Sequence, residues 1–291
     1  MTNPVRSTLF AALVVVSVAV GWRSLGGTLM LAFSSEAYTH ILLILPLSCA
    51  LIYMGRAALP DASGPSPRAG AALLAVALLL AGLVRWGASE TPPDLRLSLS
   101  MIAVVTWWIG SVVLCFGIRA FHAFMFPLCF LYLLVPLPTF ALDQATHFLQ
   151  LQSALAARVL FMVAGVPVTQ DGIMLSIPAL DIEVARECSS IRSSAMLVIT
   201  TMVLAHLFLH SNWRKALLIV AAIPIAAMKN GLRIFVISQL GTRVDPGFFD
   251  GDLHHRGGVI FFAISLVVMT VLLWGLRRTE NLDTCGPGSF H

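Results

Sequence analysis

The chain has 291 residues, 58% of them hydrophobic and only 11% charged, with a mean hydropathy of +0.90. Soluble domains carry about 25% charged residues, so this composition excludes a water-soluble globular enzyme and indicates a multi-pass membrane protein. The net charge of +4 comes from Lys and Arg spread over loops and helix ends, not from a cluster, which argues against nucleic acid as a partner.

A spanning helix needs about 20 apolar residues. Candidate spans follow in chain order at 7–22, 38–55, 69–86, 97–118, 121–141, 190–212, 215–240 and 257–276. The first follows Arg6 and lacks a small-x-small cleavage site after it, so it reads as a retained helix, not a signal peptide. Its apolar pattern runs on toward Ser35, with Arg23 as an interruption. Pro127, Pro136 and Pro138 interrupt the fifth span and Pro224 the seventh; each removes a backbone hydrogen bond and can kink a helix.

Basic residues mark one side: Arg6, Arg56, Arg68, Arg119, Arg214, Lys215, Arg277 and Arg278. Acids mark the other: Glu36, Glu90, Asp94, Asp143, Asp171, Asp181, Glu183, Glu187, Asp245, Asp250 and Asp252. Placing the basic side inside puts both termini in the cytoplasm. The expected fold is an all-α polytopic membrane protein of about eight transmembrane helices, N-in and C-in. Residues 1–278 form a single integral-membrane domain with its catalytic core at about 120–276. Residues 279–291 form a polar cytoplasmic tail without regular structure.

The long connection at 142–189 has two parts. Ala141 to Val166 has a helical period through Phe148, Leu149, Leu151, Leu155, Val159, Leu160 and Val163, which suits a helix lying at the interface. Ile173, Leu175 and Ile177, then Leu180, Ile182 and Val184, alternate as two short strands, with turns at Gly172 and Pro178-Ala179. These predict a small extracytoplasmic hairpin leading to the sixth span.

Three polar constellations carry chemistry. Glu183 to Ser194 places Glu187, Cys188, Ser189 and Arg192 just before a long apolar run. A helix N-terminus favours thiolate, and Arg192, four residues after Cys188, shares its helix face. Cys188 is therefore a candidate nucleophile. Cys49, Cys115 and Cys129 lie inside apolar runs and read as core packing, and no Cys-x-x-Cys pair suggests zinc or redox chemistry. Lys229-Asn230-Gly231-Leu232-Arg233 interrupts the seventh span, where each charge costs about 2.5–3.5 kcal/mol on insertion scales. Arg233 reads as an oxyanion or carboxylate partner and Asn230 shares its face. Lys229 reads more readily as a lysine snorkelling to the interface. His254 and His255, in the loop before the last span, are candidate proton shuttles. Of the other histidines, His40 is a candidate to join the site, and His122, His206 and His210 fall near inner ends. Cys, Arg and His from three segments on one side make the toolkit of thioester acyl transfer. A rival reading, a transporter or a lipid-linked glycan handler, requires polar residues in both halves of the membrane, and the inner halves are apolar.

These residues resemble the exosortase/archaeosortase family of membrane sorting enzymes. The likeness covers Tyr38 to Phe262. It rests on Tyr38-x-His40, Phe126-Pro127 through Pro136-Leu137-Pro138, Gly165-Val166-Pro167-Val168 with Gly172, Cys188-Ser189-Ser190-Ile191-Arg192, Asn230-x-x-Arg233-Ile234 and His254-x-x-x-Gly258 with Phe261. The resemblance implies a Cys nucleophile at Cys188, an essential Arg233 and a third residue at His254, with His255 as second choice. Glu187, Ser189, Arg192 and Asn230 read as supporting residues. The implied substrates are exported proteins whose C-terminal tail joins a short motif, often Pro-Glu-Pro, to an apolar helix and a basic cluster. No metal or organic cofactor is implied. Ser190 stands where the family's pattern has Gly.

Overall fold

The computed structural model describes residues 4–58, 64–87, 90–178, 180–184, 191–245, 247 and 258–284. Its elements in order are α1 (Pro4–Ser34), α2 (Ile41–Met54), α3 (Pro67–Trp86), α4 (Pro93–Ala123), α5 (Met125–Phe130), α6 (Thr139–Val163), β1 (Thr169–Asp171), β2 (Met174–Ile177), β3 (Leu180–Glu183), α7 (Ile191–Phe208), α8 (Asn212–Arg243) and α9 (Gly258–Thr284). Short 3₁₀ turns precede α2 and follow α2 and α5. Among the described residues seven helices are long and apolar enough to cross a membrane, and eight if the bent pair Met125–Leu134 and Thr139–Val163 counts as one span. Large apolar side chains cover the outward faces: Trp86 is 91% exposed, Val163 82% and Val20 80%. Such faces are stable only in a solvent as apolar as lipid. The protein is an all-α polytopic membrane protein.

The chain packs as two compact units that divide between Leu142 and Asp143. In the first, α1 runs on past Arg23 to Ser34 as one helix. It is tied to α4 by Trp107, whose indole N–H donates to the Leu13 carbonyl at 2.9 Å, and by Trp108, which donates to Ser17 Oγ at 2.8 Å. α3 lies tightly on α4: a Cβ at Gly70 would sit 2.5 Å from Leu114 Cα. Close backbone approach through small residues is how membrane helices associate without a hydrophobic driving force between them.

The fifth span expected at 121–141 is not one helix. It breaks after Leu134, and α6 restarts at Thr139. Pro136 and Pro138 have no N–H to donate, so carbonyls at the break need other partners. Ser98 Oγ donates to the Pro136 carbonyl and the Tyr38 hydroxyl to the Leu137 carbonyl, both at 2.7 Å. The Thr139 N–H, at the start of α6, donates to Asp94 Oδ2 at 2.7 Å.

In the second unit α6 buries a face of small and polar residues, Thr146, Gln150, Ser153, Ala154, Ala157 and Phe161. The apolar period read from the sequence lies elsewhere: Phe148 is 49% exposed, Leu155 46% and Val159 40%. The helix is where the pattern predicts it, with its greasy face outward and its small face inward. It ends in a Schellman cap. The Gly165 N–H donates to the Met162 carbonyl and the Val166 N–H to the Phe161 carbonyl, with Gly165 left-handed at φ +71°.

The chain then forms a three-stranded antiparallel sheet in the order β1-β2-β3. Met174 pairs with Asp171 on one side and Glu183 on the other. The alternation at 173–184 indicated β2 and β3; β1, with the polar sequence Thr-Gln-Asp, carried no such signal. Leu175 and Ile177 of β2 join Ala154, Ala157 and Phe161 of α6, Val184, and Ile234 of α8 in one core. A second core joins α7, α8 and α9 through Leu197, Ala205, Leu209, Leu218, Ala222, Ala226, Met269 and Leu273.

Two sequence expectations need correction. Of the cysteines read as core packing, only Cys115 is buried; Cys49 and Cys129 lie on exposed helix faces, where a small apolar thiol suits lipid. The chain after Arg278 remains helical to Thr284, because Glu280 is buried and holds that end of the helix in place.

Candidate active site

The frame of the site is set at the opposite end of the bundle from the start of α7. Glu280 is 5% exposed. Its carboxylate accepts the His210 N–H at 3.0 Å and the Ser211 N–H at 2.6 Å, and lies 3.5 Å from Arg214 Nη1. The two N–H groups lie at the start of α8, where the helix supplies no acceptor of its own and its dipole stabilises a carboxylate. One side chain of α9 thus clamps the α7–α8 turn and sets the register of three helices.

That register places the rest. Counting from the clamp, Ile191 at the start of α7, Arg233 in α8 and Gly258 at the start of α9 each lie about 20 residues away, or roughly 30 Å of helix. This is the thickness of a bilayer's hydrocarbon core. The start of α7, the cationic stretch of α8 and the start of α9 therefore come to one end of the bundle.

A contact confirms the register of α7 on α8: Lys229 Nζ donates to Ser193 Oγ, in the first turn of α7. Lys229 is 6% exposed, so it does not snorkel. Asn230 is 0% and Arg233 9% exposed. Arg233 follows Lys229 by four residues, one turn further from the clamp and on the same helix face. Between them Gly231 lets α6 approach: a Cβ there would lie 2.6 Å from Ala156 Cβ and 2.8 Å from Ala157 N. Phe161 of α6 and Phe235 of α8 meet edge to face with centroids 5.1 Å apart. A buried guanidinium held by so tight a packing is a preorganised fork of hydrogen-bond donors, suited to charge that develops on an oxygen.

On the other flank the chain is fixed at Val184, which is fully buried. Its N–H donates to the Ile173 carbonyl at 3.1 Å, and its carbonyl accepts from Gln150 Nε2 of α6 at 2.7 Å. Gln150 belongs to none of the three polar constellations. The signal that marks it is its place among Thr146, Ser153, Ala154 and Ala157 on the small-residue face of α6.

The remaining candidates divide as follows. Arg192 is exposed in the first turn of α7. Glu187, Cys188, Ser189, His254 and His255 lie outside the described residues. His40 belongs to the first unit, where its Nδ1 is 3.1 Å from the Ala37 carbonyl of its own turn. His206 and His210 are at the clamp end, about 15 and 19 residues after Ile191 at the start of α7.

The fold and this site describe a multi-pass membrane protein with buried cations at one end of a three-helix bundle. The family model of the transmembrane exosortases matches residues 22–271, and the chain belongs to that family. No curated protein and no solved structure matches it.

Proposed function

We propose that this protein is a membrane cysteine transpeptidase or protease that removes C-terminal sorting tails from exported proteins. It acts at the outer face of the bacterial cytoplasmic membrane, with both termini inside. The catalytic core is about residues 120–276 of one integral-membrane domain, and the tail from 279 is cytoplasmic. The substrates are proteins ending in a Pro-Glu-Pro-like motif, an apolar helix and a basic cluster, as in systems linked to exopolysaccharide production.

The Cys188 thiolate attacks the carbonyl carbon of the scissile peptide. Arg233 stabilises the oxyanion that forms, and Asn230 supports Arg233. The tetrahedral intermediate collapses with cleavage of the C–N bond. His254, or His255, gives its proton to the leaving amine, which departs with the tail. The acceptor, an amine or water, then loses a proton to the same imidazole and attacks the thioester, and the thiolate leaves. Glu187, Ser189 and Arg192 tune the field around the sulfur.

The observation that carries this reading is the burial of Arg233 and Asn230 at 9% and 0% exposure in a spanning helix, at the level where α7 begins. A cation in a spanning segment is costly, which makes a functional site the default reading of its presence there. The experiment is co-expression of a tailed reporter with Cys188→Ala. The variant should leave the tail in place; normal tail removal sinks the nucleophile assignment. A transporter or glycan-handling role predicts full function for Cys188→Ser, so that variant separates the two readings.

A further inference from the structure

We propose that Gln150 and Lys229 are positioning residues that fix the two ends of the chain segment carrying Cys188. The proposal rests on the reading of Cys188 as the nucleophile.

The observations are two side-chain contacts that bracket this segment. Upstream, the β2–β3 ladder ends with Met174 opposite Glu183, and Val184 follows. The Val184 N–H is taken by the Ile173 carbonyl, but its own carbonyl points past the last ladder pair, and Gln150 satisfies it at 2.7 Å. Gln150 is itself 7% exposed. A buried primary amide is costly unless it is hydrogen-bonded, and here the bond it makes ties α6 to the residue that follows β3. Downstream, Lys229 reaches from α8 to Ser193, the residue after Arg192. A buried lysine bonded to a serine hydroxyl is a poor device for stability alone, since an apolar side chain there avoids the desolvation of the charge.

Both anchors stand on rigid ground. Gln150 lies on the face of α6 that carries Ala154, Ala157 and Phe161 into the core, and Lys229 lies two residues from Gly231, where α8 meets α6. The two contacts hold Val184 and Ser193, which flank Cys188 on either side along the chain. For a nucleophile that must meet a carbonyl within bonding reach, misplacement by about 1 Å costs on the order of a hundredfold in rate. Neither residue touches the reacting atoms in this proposal; each acts through the backbone or side chain it holds.

The test uses the full-length protein in membranes and a reporter ending in a Pro-Glu-Pro motif, an apolar helix and an arginine cluster. Gln150→Met and Lys229→Met keep side-chain length and remove the donor. Each should lower kcat by at least about tenfold while KM stays within about twofold, because the contact acts on the nucleophile and not on tail binding. Lys229→Arg, which keeps a donor, should recover most of the rate. Ser193→Ala should fall as Lys229→Met does, and the double variant should fall no further. Ser193→Ala deletes one hydroxyl, so it reads the contact even where Lys229→Met fails to accumulate. Parental kcat in Gln150→Met, Lys229→Met or Ser193→Ala, or additive losses in the double variant, overturns the proposal. Cys188→Ala in the same assay separates the two levels. If it is inactive while the positioning variants are parental, this inference alone falls. If it removes the tail, the nucleophile reading falls and takes this inference with it.

Discussion

The Tyr38 hydroxyl donates a 2.7 Å hydrogen bond to the carbonyl of Leu137, which stands between Pro136 and Pro138. The contact joins two motifs that the sequence shows nearly a hundred residues apart. It also explains why they occur together. A Pro-x-Pro break inside an apolar region exposes carbonyls with no helical partner, and in lipid such a group costs several kcal/mol. Tyr38 and Ser98 supply the donors, and Asp94 accepts the N–H of Thr139 where the helix restarts.

Tyr38→Phe keeps the ring and removes only that donor. It should lower stability by about 1–3 kcal/mol, the cost of leaving a buried acceptor unsatisfied. Thermal unfolding of the detergent-solubilised protein reads this directly. An unchanged midpoint means that the break does not depend on Tyr38.

Gly231→Ala places a methyl group 2.6 Å from Ala156 Cβ and against the α6 backbone. The two helices must separate, and overpacking of this kind costs about 1–3 kcal/mol. Because Asn230 and Arg233 flank this position, tail removal should also fall. Combining it with Ala156→Gly should restore part of both losses. A fully active Gly231→Ala contradicts the close approach of α6 and α8.

Much of this fold is legible in the chain because a membrane asks for long apolar runs, and those announce themselves. The helix at 141–166 is legible too, but not the way it faces. Phe148, Leu155 and Val159 form the obvious stripe, and in water that stripe is a core face. In lipid the logic inverts, and the tight-packing face is the quieter row that includes Gln150, Ala154 and Ala157. The prolines mark the fifth span as interrupted, but hydropathy ignores the donors they lack and so does not show that the helix stops at Leu134 and restarts at Thr139. At the site, the polar interruption at 229–233 stands out by its cost in a membrane. Lys229 was harder to read. Snorkelling and burial predict the same sequence, and only Ser193 across the helix pair distinguishes them. Gln150 carries no charge and lies outside every motif; its place on the small-residue face of α6 marks it as buried, and its contact with Val184 shows what it holds.

Glu280→Ala removes the acceptor of two backbone N–H groups and the partner of the buried Arg214. Breaking a buried pair by deleting one side costs about 3–5 kcal/mol. The variant should unfold at lower temperature and expose the α7–α8 turn to protease, with Glu280→Gln affected less. Parental protease resistance in Glu280→Ala means that the clamp does not hold the three helices.

Gly165→Ala tests the cap of α6. A Cβ there meets nothing within 4 Å, so the effect is one of backbone conformation alone. At φ +71° an alanine costs about 1–2 kcal/mol. Gly165→Asn should be milder, because Asn tolerates the left-handed region. Equal stability of the three proteins contradicts the left-handed cap.

The central claim is that Cys188 forms a thioester with the processed protein. The most direct measurement is mass spectrometry of the enzyme isolated with its tailed reporter, mapped to the peptide containing Cys188. The account predicts a reporter fragment joined through the Cys188 sulfur and released by hydroxylamine, absent in Cys188→Ala. Tail removal that proceeds in Cys188→Ala, with no hydroxylamine-sensitive adduct in the parent, contradicts it.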